Sequence, residues 1–198
     1  NGRILAAGTP DGSLYLWDLK TKELIATIAS HHSKVGFGAY SRMFFDKDSS
    51  QIVTSGRDGK IKILRIEDLS EVFVTNGEYP VLSPDSSSLA FIKLDQSIQL
   101  VSLIEEGPAR IFKGNGNPTA ITFSHDGSVL FAGTLVFSEN PWENGVASIQ
   151  AWSVADEALL LNIPQYDYVS SLIVSPDGTR LYIHSRDGEI SVWGHETE

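Results

Sequence analysis

The sequence predicts an all-β protein built from short antiparallel strands. Two short phrases recur along the chain in a common register, and turn residues interrupt it at intervals of about 8–12 residues. Between the turns, apolar and polar residues alternate, as in Ile61-Lys62-Ile63 and Ile190-Ser191-Val192. Alternation with period two is typical of half-buried strands, and β-branched and aromatic residues favour the same structure.

The first phrase is a tight turn followed by an alternating strand, and its first copy, residues 10–18, reads PDGSLYLWD. Asp-Gly suits a hairpin because Gly accepts a positive φ and Asp can bond its own backbone. The strand ends at an equivalent position in five copies, 47, 37, 51 and 41 residues apart: Trp17, Leu64, Val101, Trp152 and Trp193. The repeat is therefore about 44 residues long.

The second phrase precedes the first by one strand in the order of each repeat. It reads FDKD at 45–48, LSPD at 82–85, FSHDG at 123–127 and VSPDG at 174–178. The corresponding Asp residues are 37, 41 and 51 residues apart, in step with the strand ends. Two independent anchors in one register indicate a true internal repeat.

These turns, strands and Trp-Asp ends resemble the WD-repeat β-propeller family over essentially the whole chain. The resemblance implies an all-β propeller of four-stranded antiparallel blades. Residues 175–183, SPDGTRLYI, also resemble the Tyr-Val-Thr-Asn and TolB-like propellers, which share the architecture and include binding proteins and enzymes. Trp17-Asp18, Trp152 and Trp193 favour the WD-repeat family.

The resemblance also implies a structural tetrad in each blade, made of a His, a Ser or Thr, a turn Asp and a strand-end Trp. A turn Asp stands six residues before the strand end in four copies: Asp11, Asp58, Asp95 and Asp187. The strand-end Trp is present in three copies: Trp17, Trp152 and Trp193. A His at the family's spacing occurs at His31, but that blade has Leu64 in place of Trp, so we expect no complete tetrad.

At about 44 residues a repeat, the 198 residues of the chain correspond to about four and a half blades. We therefore expect a single partial propeller spanning residues 1–198. The expected blades are a partial one at 1–30, complete ones at 31–75, 76–114 and 115–163, and a partial one at 164–198. Both partial blades contain the second and third strands, so one cannot complete the other. We expect an open or incomplete ring whose remaining blades come from sequence outside this chain or from another chain.

Composition narrows the classes of partner and chemistry. Lys and Arg number 15 against 25 Asp and Glu, a formal charge of −10, which disfavours broad binding to nucleic acid. The absence of cysteine excludes disulfides and thiolate metal sites. No apolar stretch approaches the roughly 18–20 residues of a membrane helix. We expect no cofactor, no metal, no nucleic-acid or membrane partner, and a cytoplasmic location, with nuclear or other intracellular sites left open.

Candidate binding residues lie on the loops that form the partner-docking face in the family. The second-to-third-strand turn of blade four carries an insertion of 11 residues relative to blade two, and the segment 30–42 is the most basic loop. Aromatic side chains with a polar tip are common at interfaces, although each could instead pack between blades. The candidates are His32, Tyr40, Arg42, Tyr79, Phe137, Trp142, Tyr166 and Tyr168.

The predicted function is that of a non-enzymatic scaffold that binds a protein partner, or another domain of a larger chain, through these loops. No G-x-S-x-G elbow is present, and scattered Ser, His and Asp residues do not make a triad. Two alternatives stay open. One is a small-ligand or enzymatic propeller with a site in the central channel, and the other is a purely structural set of blades that binds nothing transient.

Overall fold

The computed structural model describes residues 2–31, 40–138 and 145–194, with the backbone alone at Tyr40. The described residues form eighteen strands in five antiparallel sheets, which confirms the predicted all-β class. The first and last sheets have three strands and the other three have four. No described sheet takes strands from both ends of the chain, so closure through a shared sheet is absent from the described residues, as expected for an incomplete ring.

The chain divides into two compact units, and the first, Asn1–Pro80, contains two sheets. The first sheet has three strands in sequential order: β1 (Ile4–Gly8), β2 (Ser13–Asp18) and β3 (Glu23–Ala29). The second has four, also in sequential order: β4 (Tyr40–Phe45), β5 (Gln51–Gly56), β6 (Lys60–Arg65) and β7 (Glu71–Asn76).

The core of this first unit is a cluster of aliphatic side chains from both of its sheets. Leu14 and Leu16 of β2 pack with Ile52 of β5 and Leu64 of β6, and each is at most 1% exposed. Leu14 and Leu16 are two residues apart, so the period-two alternation of β2 places both on one side of the strand. Burial of such side chains is the main stabilising contribution to packed sheets.

The second unit, Val81–Glu198, contains most of the third sheet and the two sheets that follow. The third sheet consists of β8 (Glu78–Leu82), β9 (Ser88–Ile92), β10 (Ile98–Ser102) and β11 (Arg110–Phe112). The fourth consists of β12 (Asn117–Phe123), β13 (Val129–Val136), β14 (Val146–Ser153) and β15 (Leu159–Gln165). The last consists of β16 (Val169–Val174), β17 (Arg180–Ser185) and β18 (Ile190–Gly194).

The fourth and fifth sheets share a hydrophobic core. Its buried members are Ala120, Ile149, Val169, Leu172, Leu181 and Ile183. The hydroxyl of Thr119 donates to the Val169 carbonyl oxygen at 2.7 Å, which ties β12 to β16. At Thr119, β12 skips one residue in its pairing with β13, and β4 and β16 show the same register shift at Ser41 and Ser170. A bulge in the first strand is therefore a repeated feature of the sheets.

The second sequence phrase forms a hydrogen-bonded turn between the first two strands of a sheet. In the copy at 124–129, the Ser124 hydroxyl donates to Oδ1 of Asp126 at 2.6 Å, and the Ser128 N–H donates to the same oxygen at 3.0 Å. The Val129 N–H in turn donates to Ser124 Oγ at 2.9 Å. The same pattern surrounds Asp85 and Asp177. These bonds explain why Ser and Asp recur at this spacing.

No helix in the described part of the chain has the length and apolarity needed to span a membrane.

Candidate protein-interaction surface

A buried polar network anchors the turn between β5 and β6. His31 Nδ1 lies 3.0 Å from Oδ1 and 3.2 Å from Oδ2 of Asp58, and Nε2 lies 2.9 Å from Oγ1 of Thr54. Because a carboxylate only accepts, Nδ1 must donate to Asp58, and Nε2 of the neutral ring then accepts the Thr54 hydroxyl proton. Three of the four tetrad positions are thus joined, while Leu64 lies in the apolar core instead of a Trp.

The His31 imidazole is fully enclosed and tightly fitted. Its side chain is 0% exposed, and burial lowers its pKa, although the neighbouring Asp58 opposes this effect. A Cβ at Gly56 would lie only 2.4 Å from the His31 ring. Gly56 therefore has to lack a side chain for the network to form.

All four predicted turn aspartates accept a hydrogen bond from the backbone N–H two residues later. The donors are Ser13, Lys60, Ser97 and Glu189, at 3.0–3.1 Å from Oδ1 of Asp11, Asp58, Asp95 and Asp187. This bond holds each carboxylate over its own turn. Asp58 differs from the other three because it also accepts a hydrogen bond from Nδ1 of His31.

The three strand-end tryptophans lie in different surroundings. Trp152 is buried and contacts Phe112 edge to face, with ring centroids 6.3 Å apart. Trp17 is half-buried and stacks on Tyr15 at 5.6 Å. Trp193 packs against the core of the fourth and fifth sheets. Trp152 and Trp193 thus pack against other strands, whereas the contact of Trp17 is with Tyr15 of its own strand.

We use the name loop edge for the edge of a four-stranded sheet that holds the turn between its second and third strands. In the fourth sheet, Val136 pairs with Val146 and Ala147 pairs with Gln165, so β13 and β15 both end at this edge. The predicted insertion thus begins as an extension of the β13–β14 hairpin. Phe137 follows β13 and is 67% exposed, and Tyr166 follows β15 and is fully exposed.

Phe137 and Tyr166 are therefore two large aromatic side chains on one loop edge. One strand, β14, separates β13 from β15, which corresponds to roughly 10 Å across the sheet. Tyr168 is half-buried, and its N–H donates to Oδ1 of Asp167 at 2.7 Å. Trp142 and His32 lie outside the described residues, as does the side chain of Tyr40.

In the first unit, the structure brings together two predicted residues, Arg42 of β4 and Tyr79 of β8. The Arg42 guanidinium carbon lies 5.3 Å from the centre of the Tyr79 ring, a cation–π contact. Both line a cleft of about 470 Å³ together with Ser41, Gly56, Arg57 and Glu78. Burial lowers the pKa of Arg42, and the neighbouring Tyr79 opposes this effect.

Sequence reasoning missed Arg57 and Glu78 as neighbours of Arg42. The pairing of Tyr40 with Gly56 brings the start of β4 to the β5–β6 turn that carries Arg57, but this register includes a shift next to Arg42 that the sequence does not indicate. Within the described ranges, no three His, Asp or Glu side chains gather as a metal ion requires.

Comparisons with known proteins agree with this architecture. The family model described as WD domain, G-beta repeat, matches residues 22–64. Autophagy-related protein 16 of Arabidopsis thaliana is 28% identical over 127 residues, which cover 60% of this chain and 24% of that protein. The β-propeller domain of Cps50 (Swd1) from Myceliophteria thermophila superposes with a TM-score of 0.78 at 15% identity, over 100% of this chain and 64% of that one. The chain thus spans about a quarter of the curated relative. These matches confirm the predicted WD-repeat resemblance and the predicted β-propeller fold.

Proposed function

We propose that this chain, which is a WD-repeat protein with the β-propeller fold, is a non-enzymatic scaffold that binds a protein partner, or another domain of a longer chain, through its loop edges. The same proposal includes a cytoplasmic location and a partner that is a protein, not nucleic acid or a membrane. The likeness to autophagy-related protein 16 makes autophagy proteins the first partners to test.

The observation that supports this proposal is the exposure of Phe137 and Tyr166 on one loop edge of the fourth sheet. A large aromatic side chain loses apolar contact with water when a partner covers it, and such residues dominate binding energy at many interfaces. Both follow strands whose register is fixed by the β13–β14–β15 ladder. A pre-ordered surface of this kind loses little conformational entropy on binding.

The experiment compares partner capture by the purified chain and by the double variant Phe137→Ser and Tyr166→Ser. Leu160→Ser is the matched control, because Leu160 is 58% exposed and lies at the opposite end of β15. We expect a specific protein to be captured by the parent chain and the control but not by the double variant. This protein should bind the double variant at least about 30-fold more weakly than it binds the parent chain, since the loss of even one hot-spot side chain costs about 2 kcal/mol or more.

The proposal is wrong for this edge if the double variant, folded as judged by circular dichroism, captures the same proteins as the parent chain. Purified candidate partners then have to be tested directly, because indirect capture through a third protein would not locate the contact. Equal loss in Leu160→Ser would also contradict the proposal, since it would show a general effect of removing exposed apolar surface.

A further inference from the structure

The cleft beside Arg42 contains two guanidinium groups in a chain that is strongly acidic. Arg42 and Arg57 both line it, and the formal charge of the chain is −10. A negative protein repels acidic ligands at long range, so a site for an anion has to be built from short-range contacts. Two arginines lining one cleft provide such contacts.

The Arg42 guanidinium is held by an aromatic ring, and its N–H groups make no ion pair with a carboxylate of the described residues. The Tyr79 ring lies against the guanidinium at 5.3 Å, and a cation–π contact of this type occupies a face of the group. Among the described residues, no carboxylate oxygen lies within ion-pairing distance of Arg42 or Arg57. A planar carboxylate is the ligand that matches the two parallel N–H bonds at the edge of a guanidinium.

The other polar residues of the cleft, Ser41 and Glu78, are not suited to donate hydrogen bonds to a carboxylate, so the arginines are the donors. The Ser41 hydroxyl is already bonded to the carbonyl oxygen of Ser55 at 3.2 Å and lies 3.0 Å from its hydroxyl. Glu78 is exposed and lowers the net charge of the cleft from +2 to +1, so a singly charged carboxylate neutralises the cleft, whereas a doubly charged phosphate group would leave an excess negative charge in an already acidic chain.

The backbone of Tyr79 shows that this geometry is maintained against strain. Its φ is +52°, in the left-handed region, and the residue directly precedes Pro80. A non-glycine residue rarely adopts this conformation, so the surroundings of Tyr79 hold it there.

We propose that the cleft formed by Arg42, Arg57 and Tyr79 binds an acidic side chain of a protein partner, with the Asp or Glu carboxylate accepting from the two guanidinium groups. This inference rests on the proposed scaffold function and names the chemistry of one partner segment. Tyr79 holds the Arg42 guanidinium through the cation–π contact, Arg57 supplies the second cation, and Glu78 brings the net charge of the cleft to a value that one carboxylate neutralises.

The test uses three labelled synthetic peptides of Gly and Ser that carry, at the centre, Glu-Glu, Gln-Gln or two phosphoserines. Fluorescence anisotropy at low salt measures their binding to the purified chain and to Arg42→Gln, Arg57→Gln and Arg65→Gln. Arg65 is the control because it lies in the same unit but pairs with Asp68 at 3.2 Å. Arg57 is exposed, so its variant tests the site even if Arg42→Gln fails to fold.

We expect the Glu-Glu peptide to bind at least about tenfold more tightly than the Gln-Gln peptide, the factor expected from one charge-assisted hydrogen bond. Arg57→Gln, and Arg42→Gln if it folds, should each lose a similar factor, and Arg65→Gln should bind as the parent does. Equal binding of the Glu-Glu and Gln-Gln peptides, tighter binding of the phosphoserine peptide, no effect of Arg57→Gln, or no binding at millimolar peptide would each overturn the proposal. The scaffold proposal is tested separately, by protein capture with the Phe137 and Tyr166 variants. A negative result in the peptide assay therefore leaves the scaffold proposal standing, and a negative result in the capture assay says nothing about this cleft.

Discussion

His31 Nδ1 lies 3.0 Å from Oδ1 of Asp58, with the imidazole fully buried and the Asp58 side chain in the β5–β6 turn 15% exposed. The contact joins the segment after β3 to the second sheet, and Thr54 completes it from within β5 at 2.9 Å. The network exists without a tryptophan, because Leu64 fills the strand-end position with an apolar side chain. The polar part of the tetrad is thus separable from its aromatic member.

Replacing Asp58 with Ala should lower the free energy of unfolding by about 2–3 kcal/mol. The His31 N–H would then be buried without an acceptor, and a buried donor that loses its partner costs about 1–3 kcal/mol. The turn bond from the Lys60 N–H, at 3.1 Å, is lost as well. Urea denaturation followed by circular dichroism measures the change.

Asp11→Ala is the matched control, since Asp11 makes the same turn bond from the Ser13 N–H and accepts from the Thr9 hydroxyl where Asp58 accepts from a buried imidazole. We expect a smaller loss of stability in this variant. Equal losses in the two variants would show that the contact with His31 contributes nothing beyond the turn bond.

The buried imidazole predicts a specific pH dependence of stability. The pKa of His31 is lowered from its ordinary value of 6.5, mainly by burial, so the unfolded chain binds a proton at a higher pH than the folded chain does. The free energy of unfolding should therefore be highest above pH 6.5 and should fall as the pH decreases below that value, until the folded-state pKa is reached.

Urea midpoints at a series of pH values between about 7.5 and 5 check this expectation in the parent chain and in His31→Gln, which cannot titrate. His125→Gln is the control, because it removes one of the other histidines of the chain. The fall should be shallower in His31→Gln than in His125→Gln. An unchanged slope in His31→Gln would mean that the His31 imidazole does not set the pH dependence.

The repeat was predictable because its signals are local. The bond from a turn Asp to the N–H two residues later, as at Asp11 and Asp58, lies within the turn itself, and the alternation along β2 or β6 needs no information from distant residues. The strand-end and turn positions could therefore be read from spacing alone. The same reasoning located Phe137 and Tyr166 on loops, but only the β13–β14–β15 ladder shows that they share an edge.

The cleft could not be predicted in the same way. The contact between Arg42 and Tyr79 joins residues on β4 and β8, and neither the bulge at Ser41 nor the positive φ of Tyr79 has a local sequence signal. A tyrosine before a proline favours an extended backbone, so its left-handed conformation is imposed by its surroundings. Side-chain partners of this kind depend on packing between strands.

The Ser-x-Asp turns should make the chain sensitive to acid below pH 4. Hydrogen bonds, first from the Ser124 hydroxyl and then from the Ser128 N–H, lower the pKa of Asp126 from 3.8 to about 2. A depressed folded-state pKa means that the stabilisation is present above pH 3.8 and is lost as the pH falls through about 2. Asp126→Asn should therefore be less stable than the parent at pH 5, and the difference should shrink towards pH 2.

Thermal denaturation at pH values between about 5 and 2 follows this convergence. Glu106→Gln, which removes one negative charge at an exposed position, serves as the control for net charge. A difference between Asp126→Asn and the parent that stays constant down to pH 2 would show that the carboxylate charge is not what stabilises the turn.

The third copy of the turn has Gln96 where the other copies have glycine, and replacing it should stabilise the chain. Gly12, Gly59 and Gly188 adopt φ values of +93°, +72° and +93°, but the equivalent residue after Asp95 is Gln96, with φ +64°. A left-handed backbone costs a non-glycine residue roughly 1–2 kcal/mol, whereas the extra flexibility of an unfolded glycine costs about 0.5–1 kcal/mol. Gln96→Gly should therefore raise the free energy of unfolding by about 0.5–1 kcal/mol.

The reverse change at Gly59 separates backbone strain from packing. A Cβ at Gly59 would meet no atom within 4 Å, so Gly59→Ala introduces only the left-handed strain and should cost about 1 kcal/mol. Gln96→Ala keeps the strain at position 96 while removing the long side chain, so it should unfold at nearly the same urea concentration as the parent. If Gln96→Ala is as stabilising as Gln96→Gly, the gain comes from losing the glutamine side chain, and the strain assigned to this turn is wrong.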